Sequence, residues 1–304
     1  MSGAVTLTDQ GGELEVTFLP QLGMVLSSLR HRGEQLLAQR GGPEAYAAHG
    51  STFALPLLHP WANRLAGWGY DVLGRHVEID PAHAHRDGDT GLPIHGLLAA
   101  SPFWQVLEST PSALTAELDF AARPEYLASF PFPHRLRYEA VVHGAGITLN
   151  LILRPTSDLP VPIAFGFHPY LTLPGSERRY WQVRLPVAER ALLDARQLPT
   201  GEVEAVMPGS LDGQLGDRSF DDSFERLEGG RPSFSVADDR RRLEISFEAG
   251  YPVAQAYAPP GSDFICFEPM TAPVNALTSG RGLRFVQPGT EFIATFTLAV
   301  HAST

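Results

Sequence analysis

Residues 135–153 read RLRYEAVVHGAGITLNLIL, and this stretch decides the fold class. Apolar residues recur at positions 136, 138, 140 and 142, and again at positions 147, 149, 151 and 153. A period of two places every second side chain on the same face of a strand, so each run predicts a half-buried strand. Gly144-Ala145-Gly146 separates the two runs and predicts a turn. The stretch as a whole therefore predicts an antiparallel hairpin.

The same alternation recurs along the chain. It is clearest at 114–120, in a hairpin at 234–247 and at 291–300, and weaker strand candidates lie at 13–18, 24–30, 70–73, 76–79, 103–109, 180–186, 253–257, 264–268 and 283–287. Roughly fifteen short strands with frequent turns predict an all-β sandwich or barrel. No composition break marks a linker, so we expect residues 1–304 to form a single domain. The Pro- and Gly-rich stretches 42–60 and 199–217 are expected to be long loops.

The composition excludes several classes of protein. All 23 basic residues are arginines, which excludes Schiff-base, pyridoxal-phosphate and Walker-type phosphate-binding enzymes, because each needs a lysine amine. A net charge of −11 argues against nucleic acid and anionic membrane surfaces as partners. Cys266 is the only cysteine, so neither an internal disulfide nor a thiolate metal cluster can form. With no signal peptide and no apolar run of membrane-spanning length, we expect a cytoplasmic protein.

Five short segments combine polar residues with proline, glycine or aromatic neighbours. They are HPWANR at 59–64, PIHG at 93–96, FHPY at 167–170, FDDSF at 220–224 and CFEP at 266–269. His168 and Glu268 each precede a proline, which favours extended backbone and restricts the direction of both side chains. Glu268 also follows the apolar run FICF at 264–267. Burial at that position would raise the pKa of its carboxyl group and suit it to acid–base chemistry.

Each of these residues also has a structural interpretation when it is taken alone. His168 and Glu268 can be hydrogen-bonded or ion-paired structural residues, and Arg64 can be an ion-pairing surface group. Asp221 and Asp222 can be turn residues. Glu268 and Asp221 could also supply the two carboxylates of a glycosidase, an alternative that the sequence leaves open. His83 and His85 have a spacing typical of metal ligands, but no further ligand stands at a recognisable offset, so no metal site is predicted.

Taken together in chain order, the segments resemble the aldose 1-epimerase (galactose mutarotase) family. The matching residues are Asn63 and Arg64, His95 and Gly96, Trp104, His168 with Pro169 and Tyr170, an aspartate within 220–224, and Glu268 with Pro269. The segment FEPMTAPVNAL at 267–277 is similar to the family segment around its catalytic glutamate. The resemblance extends over residues 55–280, which is most of the chain.

This resemblance implies a large antiparallel β-sandwich of the galactose mutarotase type, with an open cleft across one sheet. It implies interconversion of the α and β anomers of a free hexose, with the sugar as the partner and without a cofactor or metal. Glu268 then corresponds to the general base at the anomeric hydroxyl, and His168 to the general acid at the ring oxygen. The residues that correspond to sugar-binding groups are Arg64, His95, Asp221 and Asn63, with Asp222 the less favoured aspartate.

Departures from the family pattern leave the sugar open. Leu97 follows the His–Gly pair where a second glycine is frequent, and His59 stands where an apolar residue is common. One alternative is a hexose-6-phosphate 1-epimerase, which needs further arginines beside Arg64 to hold the phosphate. Candidates for that role are Arg75, Arg86, Arg123, Arg178 and Arg179. Another alternative is a non-catalytic carbohydrate-binding protein of the same fold, and the oligomeric state is not specified by the sequence.

The implied mechanism makes a geometric prediction. Glu268 and His168, 100 positions apart, are expected to face each other across a pocket the width of one pyranose ring. In the forward direction Glu268 is expected to be ionised and His168 to be protonated.

Overall fold

The hairpin predicted for residues 135–153 is formed by the strands His134–His143 and Gly146–Pro155. They pair antiparallel without interruption, from His134 opposite Pro155 to His143 opposite Gly146. The alternating apolar positions of both strands are buried in the main core. The structure is a computed structural model that describes residues 3–50 and 52–302.

The described residues form many short strands and few helices. The strands are β1 (Val5–Thr8), β2 (Leu14–Leu19), β3 (Val25–His31), β4 (Glu34–Gln35), β5 (Leu57–Leu58), β6 (Gly69–Val72), β7 (Arg75–Glu78), β8 (His85–Arg86), β9 (Pro93–Ile94), β10 (Gln105–Ser109), β11 (Ala113–Asp119), β12 (His134–His143), β13 (Gly146–Pro155), β14 (Val161–Ile163), β15 (Gly166–Phe167), β16 (Tyr170–Leu171), β17 (Gln182–Arg184), β18 (Val187–Leu193), β19 (Pro199–Ala205), β20 (Gly213–Gln214), β21 (Phe220–Leu227), β22 (Ser233–Ala237), β23 (Arg241–Ala249), β24 (Val253–Ala258), β25 (Ile265–Met270), β26 (Arg284–Val286) and β27 (Phe292–Ala302). The helices are α1 (Gly42–His49), α2 (Pro124–Ser129) and α3 (Ala276–Ser279), and 3₁₀ turns lie at Pro20–Leu22, Phe120–Ala122 and Arg178–Tyr180. Within residues 3–50 and 52–302, no helix has the length and apolar character needed to cross a membrane.

Two large sheets pack face to face. One has the strand order β10-β11-β12-β13-β27-β23-β22-β17-β20, and the other runs β19-β18-β21-β24-β25-β15-β5, with β16 also paired to β25. The pairs within both sheets are antiparallel. Phe234 of β22 packs on Phe267 of β25 at 5.4 Å between ring centroids, and Phe167 of β15 packs on Phe296 of β27 at 5.0 Å. The two sheets therefore share a core, which confirms the predicted all-β antiparallel sandwich.

The two stretches that we expected to be loops contain regular structure. The first, 42–60, holds α1 and β5, and among the described side chains of α1 only Tyr46 is buried. The second, 199–217, begins with β19 at the end of its sheet, where most of the side chains are exposed. Neither α1 nor β19 buries a full face, so the sequence of each lacks the periodic apolar pattern by which helices and strands are detected.

The alternation along β25 separates core residues from site residues. Ile265 and Phe267 belong to the main core, whereas Cys266 and Glu268 alternate with them and lie on the opposite face of the sheet. The neighbouring strands β24 and β21 follow the same pattern. Polar side chains from three adjacent strands therefore share the face that points away from the core.

Candidate active site

A row of polar side chains crosses β21, β24 and β25 on this outer face. Gln255 of β24 lies opposite Glu268 of β25, and its Nε2 donates to Oδ1 of Asp221 in β21 at 2.8 Å. Asp222, the next residue of β21, accepts instead from Nη1 of Arg190 at 3.1 Å. Because successive strand residues point to opposite faces, Asp221 rather than Asp222 faces the site.

His168 lies between the two short strands β15 and β16. The following proline restricts its backbone to extended conformations, and its N–H donates to the carbonyl oxygen of Pro56 at 3.1 Å. Its Nε2 lies 3.3 Å from Oε1 of Glu268, and the two side chains are only 6% and 2% exposed. Among the described residues, Nδ1 of His168 and Oε2 of Glu268 have no hydrogen-bond partner. The pair thus retains unused hydrogen-bonding capacity.

Tight backbone turns bring His95 to the same place. His95 and Asn63 both have left-handed backbone, with φ of 63° and 58°, and the N–H of His95 donates to the carbonyl oxygen of Asn63 at 3.0 Å. Gly96 follows with φ 76°, and a Cβ there would lie only 2.2 Å from the carbonyl oxygen of His59. Only glycine fits this position. The His95 ring stands 5.4 Å from the His168 ring, edge to face.

Arg64 is held rigidly beside this turn. Oδ1 of Asn63 accepts from the backbone N–H and from Nη1 of Arg64, at 2.8 Å and 3.3 Å. Nε of Arg64 donates to Oδ2 of Asp87 at 2.8 Å, and both side chains are 12% exposed. Asp87 in turn accepts from the hydroxyl of Thr90 at 2.5 Å. Fixed on two sides, the guanidinium presents a preoriented cation.

These side chains line one cleft with a volume of about 210 Å³. Its lining includes every residue that the sequence singled out for catalysis or sugar binding, namely Asn63, Arg64, His95, His168, Asp221 and Glu268. Sequence analysis missed Gln255 and Tyr257, although both are polar positions within the predicted strand 253–257. It also missed Arg40, Thr52 and Asp87, which lie in irregular segments where no pattern marks them.

Trp104 and His59, which the sequence analysis names, do not line the cleft. Trp104 is buried in the main core. His59 is buried against His134, with 2.9 Å between their Nε2 atoms. Since Nδ1–H of His134 donates to the carbonyl oxygen of Phe132 at 2.6 Å, the neutral His134 accepts at Nε2 from His59. His59, which departs from the family pattern, is therefore a buried structural residue whose backbone contacts the turn that carries His95.

The expected spacing of Glu268 and His168 was wrong. We expected the width of a pyranose ring between them, but the two groups are in direct contact at 3.3 Å and no ring can lie between them. Direct contact is nevertheless compatible with the base and acid roles that the resemblance implies for Glu268 and His168. The anomeric hydroxyl oxygen and the ring oxygen are bonded to the same carbon, so a base and an acid that serve them can stand side by side below the ring.

Burial opposes charge on both members of this pair. Burial, reinforced by the Asp221 carboxylate, raises the pKa of Glu268 well above its usual value, and Arg64 acts in the opposite direction. Burial, followed by His95 and Arg40, lowers the pKa of His168 well below its usual value. Burial therefore favours a neutral carboxylic acid beside a neutral imidazole. The expected ionised form, carboxylate beside imidazolium, holds the same number of protons and differs only in the position of one proton.

The remaining charges of the cleft are mixed. Arg40 and Arg64 face the carboxylates of Asp87, Asp89 and Asp221. The further arginines that the sequence analysis considered as phosphate ligands do not line the cleft; they are Arg75, Arg86, Arg123, Arg178 and Arg179. Within the part of the chain that the structure describes, no three His, Cys, Asp or Glu side chains are grouped to hold a metal ion.

Comparison with known proteins agrees with this architecture. The family model for aldose 1-epimerase matches residues 4–299. Uncharacterized protein YihR of Escherichia coli (strain K12) is 23% identical over 295 residues, which cover 93% of this chain and 89% of that protein. A galactose mutarotase-like protein from Clostridium acetobutylicum has the same fold with a TM-score of 0.84 and 17% identity, over 96% of this chain and 93% of the other. Galactose 1-epimerase from Lactobacillus acidophilus NCFM superposes with a TM-score of 0.75 and 16% identity, over 98% and 94% of the two chains. With its family model matched over nearly the whole length, the chain belongs to the aldose 1-epimerase family.

Proposed function

We propose that this protein is an aldose 1-epimerase that interconverts the α and β anomers of a free, uncharged hexose. The observation that carries the proposal is the contact between Glu268 and His168 at the base of a cleft lined by Asn63, Arg64 and Asp221. A carboxyl group and an imidazole in contact can remove one proton and supply another to neighbouring oxygens of one substrate. The main buried core, which includes residues from Leu7 to Val300, supports one domain as the functional unit.

The reaction can be written with these groups alone. Glu268, as carboxylate, removes the proton from the anomeric hydroxyl while His168, as imidazolium, donates a proton to the ring oxygen. The bond from the anomeric carbon to the ring oxygen breaks, and the open-chain aldehyde rotates about its first carbon–carbon bond. Ring closure on the other face returns the proton from the ring-forming hydroxyl to His168 and delivers the Glu268 proton to the carbonyl oxygen. Both residues end in their starting states.

The other polar groups are proposed to bind and orient the sugar. Oε1 of Gln255 is buried without a hydrogen-bond partner among the described residues, and Asp221 beside it is a strong acceptor for sugar hydroxyls. His95 is neutral in the working range, since burial and then Arg64 lower its pKa to about 3. Arg64 supplies the fixed cation that favours the carboxylate form of Glu268. A sugar hydroxyl that donates a hydrogen bond to the Glu268 carboxylate would favour the same ionised form.

Charge argues against the phosphosugar alternative. A dianionic phosphate needs arginines in bidentate geometry, whereas Nε of Arg64 is already engaged by Asp87. Asp89 and Asp221 add negative charge to the same lining. A volume of about 210 Å³ is below the usual range for larger ligands and suits a single sugar ring better than the chain that a glycosidase would bind.

Polarimetry and anomer-exchange NMR test the proposal directly. We expect the protein to accelerate the mutarotation of freshly dissolved α-D-glucose or α-D-galactose and to leave glucose 6-phosphate unaffected. Acceleration of glucose 6-phosphate alone would replace the proposal with the phosphosugar activity. Binding of a free sugar without any acceleration would indicate a non-catalytic binding protein, and release of sugars from an oligosaccharide would indicate a glycosidase.

A cytoplasmic setting is part of the proposal. The chain's one cysteine, Cys266, is buried and unpaired, which is compatible with a reducing compartment.

A further inference from the structure

The His168 ring has a second neighbour that the mechanism above does not use. Tyr170 follows two positions later on the same face, and its ring stacks on the imidazole at 4.3 Å with only 7° between the planes. Its hydroxyl lies 3.3 Å from Nε2 of His168, the atom that also contacts Glu268. The proton-donating nitrogen of the proposed acid thus lies between a carboxyl group and a phenol.

The Tyr170 hydroxyl is itself held from the other side. Nη1 of Arg40 donates to it at 2.8 Å, and the hydroxyl of Thr52 lies 2.5 Å away. Arg40 also donates to the Thr52 hydroxyl at 3.2 Å and lies over the Tyr170 ring at 4.9 Å from its centroid. These two residues flank α1 in the sequence and meet β16 only in the folded chain, so the cluster is built by tertiary structure.

The donor and acceptor inventory limits what the cluster can do. A guanidinium can only donate, so the Tyr170 oxygen accepts from Arg40, and the single phenol proton goes either to Thr52 or to His168. When the imidazole is neutral with a free Nε2, the phenol can donate to it while Thr52 donates to the phenol. When Nε2 is protonated, its proton lies in the imidazole plane and stays available to Glu268 or the sugar, because the stacked phenol oxygen lies above that plane; the phenol then turns its own proton to Thr52.

We propose, on the basis of the proposed function, that Tyr170 is a positioning residue for His168, with Arg40 and Thr52 as its supports. Its hydroxyl, anchored by Arg40 and Thr52, lies over Nε2, so that the tyrosine keeps the imidazole beside Glu268 as the proton leaves and returns. Its ring fixes the plane of the imidazole by stacking. Tyr170 acts through His168 and needs no contact with the reacting atoms.

Arg40 has a second effect, because its charge faces the pair. The groups that face His168 are Glu268 from β25, His95 from the turn after β9, Tyr257 from β24, Tyr170 from β16 and Arg40 from the segment before α1. Among them Arg40 carries the fixed positive charge beside His168, whereas Asp221 and Arg64 face Glu268 with opposite charges. The Arg40 charge favours loss of a proton from the coupled pair. Removing this charge therefore moves both limbs of the pH profile to higher pH.

Tyr170→Phe isolates the hydroxyl, since the aromatic ring and its stacking are retained. We expect kcat to fall roughly 10- to 100-fold while KM for the sugar stays unchanged. Thr52→Val, at a site that is only partly buried, should give a smaller loss of the same kind. An unchanged kcat for Tyr170→Phe, or a loss that appears only in KM, would overturn the proposal, the latter because it would make Tyr170 a sugar-binding residue.

The effect of the Arg40 charge is tested with two variants of this exposed residue. Arg40→Gln removes the cation and should shift both limbs of the kcat profile to higher pH, whereas Arg40→Lys keeps the cation and should leave them in place. Arg86→Gln is the matched control, because Arg86 carries the same charge, lies over Trp68 and does not line the cleft. Equal shifts in Arg40→Gln and Arg86→Gln would contradict the specific role of Arg40.

NMR titration of the His168 imidazole separates this inference from the proposed function. The signal is assigned by its loss in His168→Asn and followed without any sugar present. We expect its midpoint to rise in Arg40→Gln and to stay in place in Arg86→Gln, whether or not the protein catalyses mutarotation. An unmoved midpoint overturns the role of Arg40, whereas a moved midpoint in a protein that accelerates no sugar overturns the proposed function alone.

Discussion

At the scale of single residues, the contact between Glu268 and His168 makes their effects inseparable. We expect Glu268→Gln and His168→Asn each to lower kcat by roughly 10²- to 10⁴-fold, because each removes one partner of a proton transfer. The double variant should lose little more than either single variant, since the two groups act as a unit. Mutarotation rates for the three variants, with circular dichroism as the folding control, measure this. Strictly multiplicative losses would count against a joint role.

Asp221 and Asp222 form a natural matched pair, adjacent in sequence and on opposite faces of β21. Asp221→Asn should lower kcat/KM about 10-fold, because a charged acceptor for sugar hydroxyls becomes a neutral one. Asp222→Asn removes a charge beside Arg190, outside the cleft, and should leave kcat/KM unchanged. Sugar-dependent kinetics of the two variants decide between the faces, and a larger loss in Asp222→Asn would reverse the assignment.

The pH profile follows from the proton count of the pair. The working form holds one proton, so a second proton at low pH and loss of the last proton at high pH both abolish activity. We therefore expect a bell-shaped profile of kcat/KM whose limbs belong to the pair as a whole. Since the Asp221 charge raises the pKa of Glu268, and the last proton of the pair leaves this carboxyl group, Asp221→Asn should move the basic limb to lower pH. A profile that keeps rising with pH would show that no proton donor is required.

At the scale of elements, the turn that carries His95 depends on a glycine. In Gly96→Ala the Cβ would meet the carbonyl of His59 at 2.2 Å, in addition to the cost of a left-handed alanine. Gly74→Ala is the control, because Gly74 has a similar φ of 71° and open space around it. We expect Gly74→Ala to cost about 1–2 kcal/mol and Gly96→Ala to cost more and to lower kcat as well. Urea denaturation and kinetics measure both, and equal costs would show that the clash is relieved.

The elements that sequence analysis found are those with one buried face. The strands β11, β12, β13 and β27 alternate cleanly, so the period of two was sufficient to identify them. By contrast, β21 was read only as the motif FDDSF, because one of its faces carries polar residues of the cleft and its register to β18 shifts twice. A bulged strand that lines a site loses the alternation by which strands are recognised.

Local sequence pattern likewise identifies only some of the residues of the site. Residues held in short segments with a proline or glycine beside them, such as His95 and His168, could be singled out because the neighbouring residue restricts their backbone. Gln255 lies in a mostly apolar strand, and its role in the site depends on its cross-strand neighbour Glu268. Arg40 and Thr52 meet Tyr170 only through the tertiary fold. Their part in the cluster could not be read from local sequence.

At the scale of the whole molecule, buried neutral histidines make the fold sensitive to acid. Burial lowers the pKa of His134 to about 4, and burial together with His134 lowers the pKa of His59 well below its usual value. The unfolded chain binds protons at these histidines from about pH 6.5 downward, while the folded chain does not. The free energy of unfolding therefore falls as the pH drops from about 6.5 toward 4. The raised pKa values of Glu268 and Asp221 act in the opposite direction.

A double variant tests the contribution of the histidine pair. In His59→Phe combined with His134→Phe, both partners of the buried hydrogen bond are replaced by rings of similar shape. Each histidine contributes at most about 1.4 kcal/mol per pH unit to the slope, so the slope should become visibly shallower. Urea denaturation at pH 7, 6 and 5 measures it, with the wild-type protein as reference. An unchanged slope would mean that other groups control the acid sensitivity.

The order of strands in the nine-stranded sheet has a consequence for biosynthesis. β27 is the last strand of the described chain but the middle strand of its sheet, between β13 and β23. While the ribosome is still adding residues 292–302, the finished strands on either side present open edges that can pair with other nascent chains. A polypeptide that stops short of residue 292 therefore lacks the sheet's centre and not its border, and aggregation rather than a trimmed native fold is its expected fate.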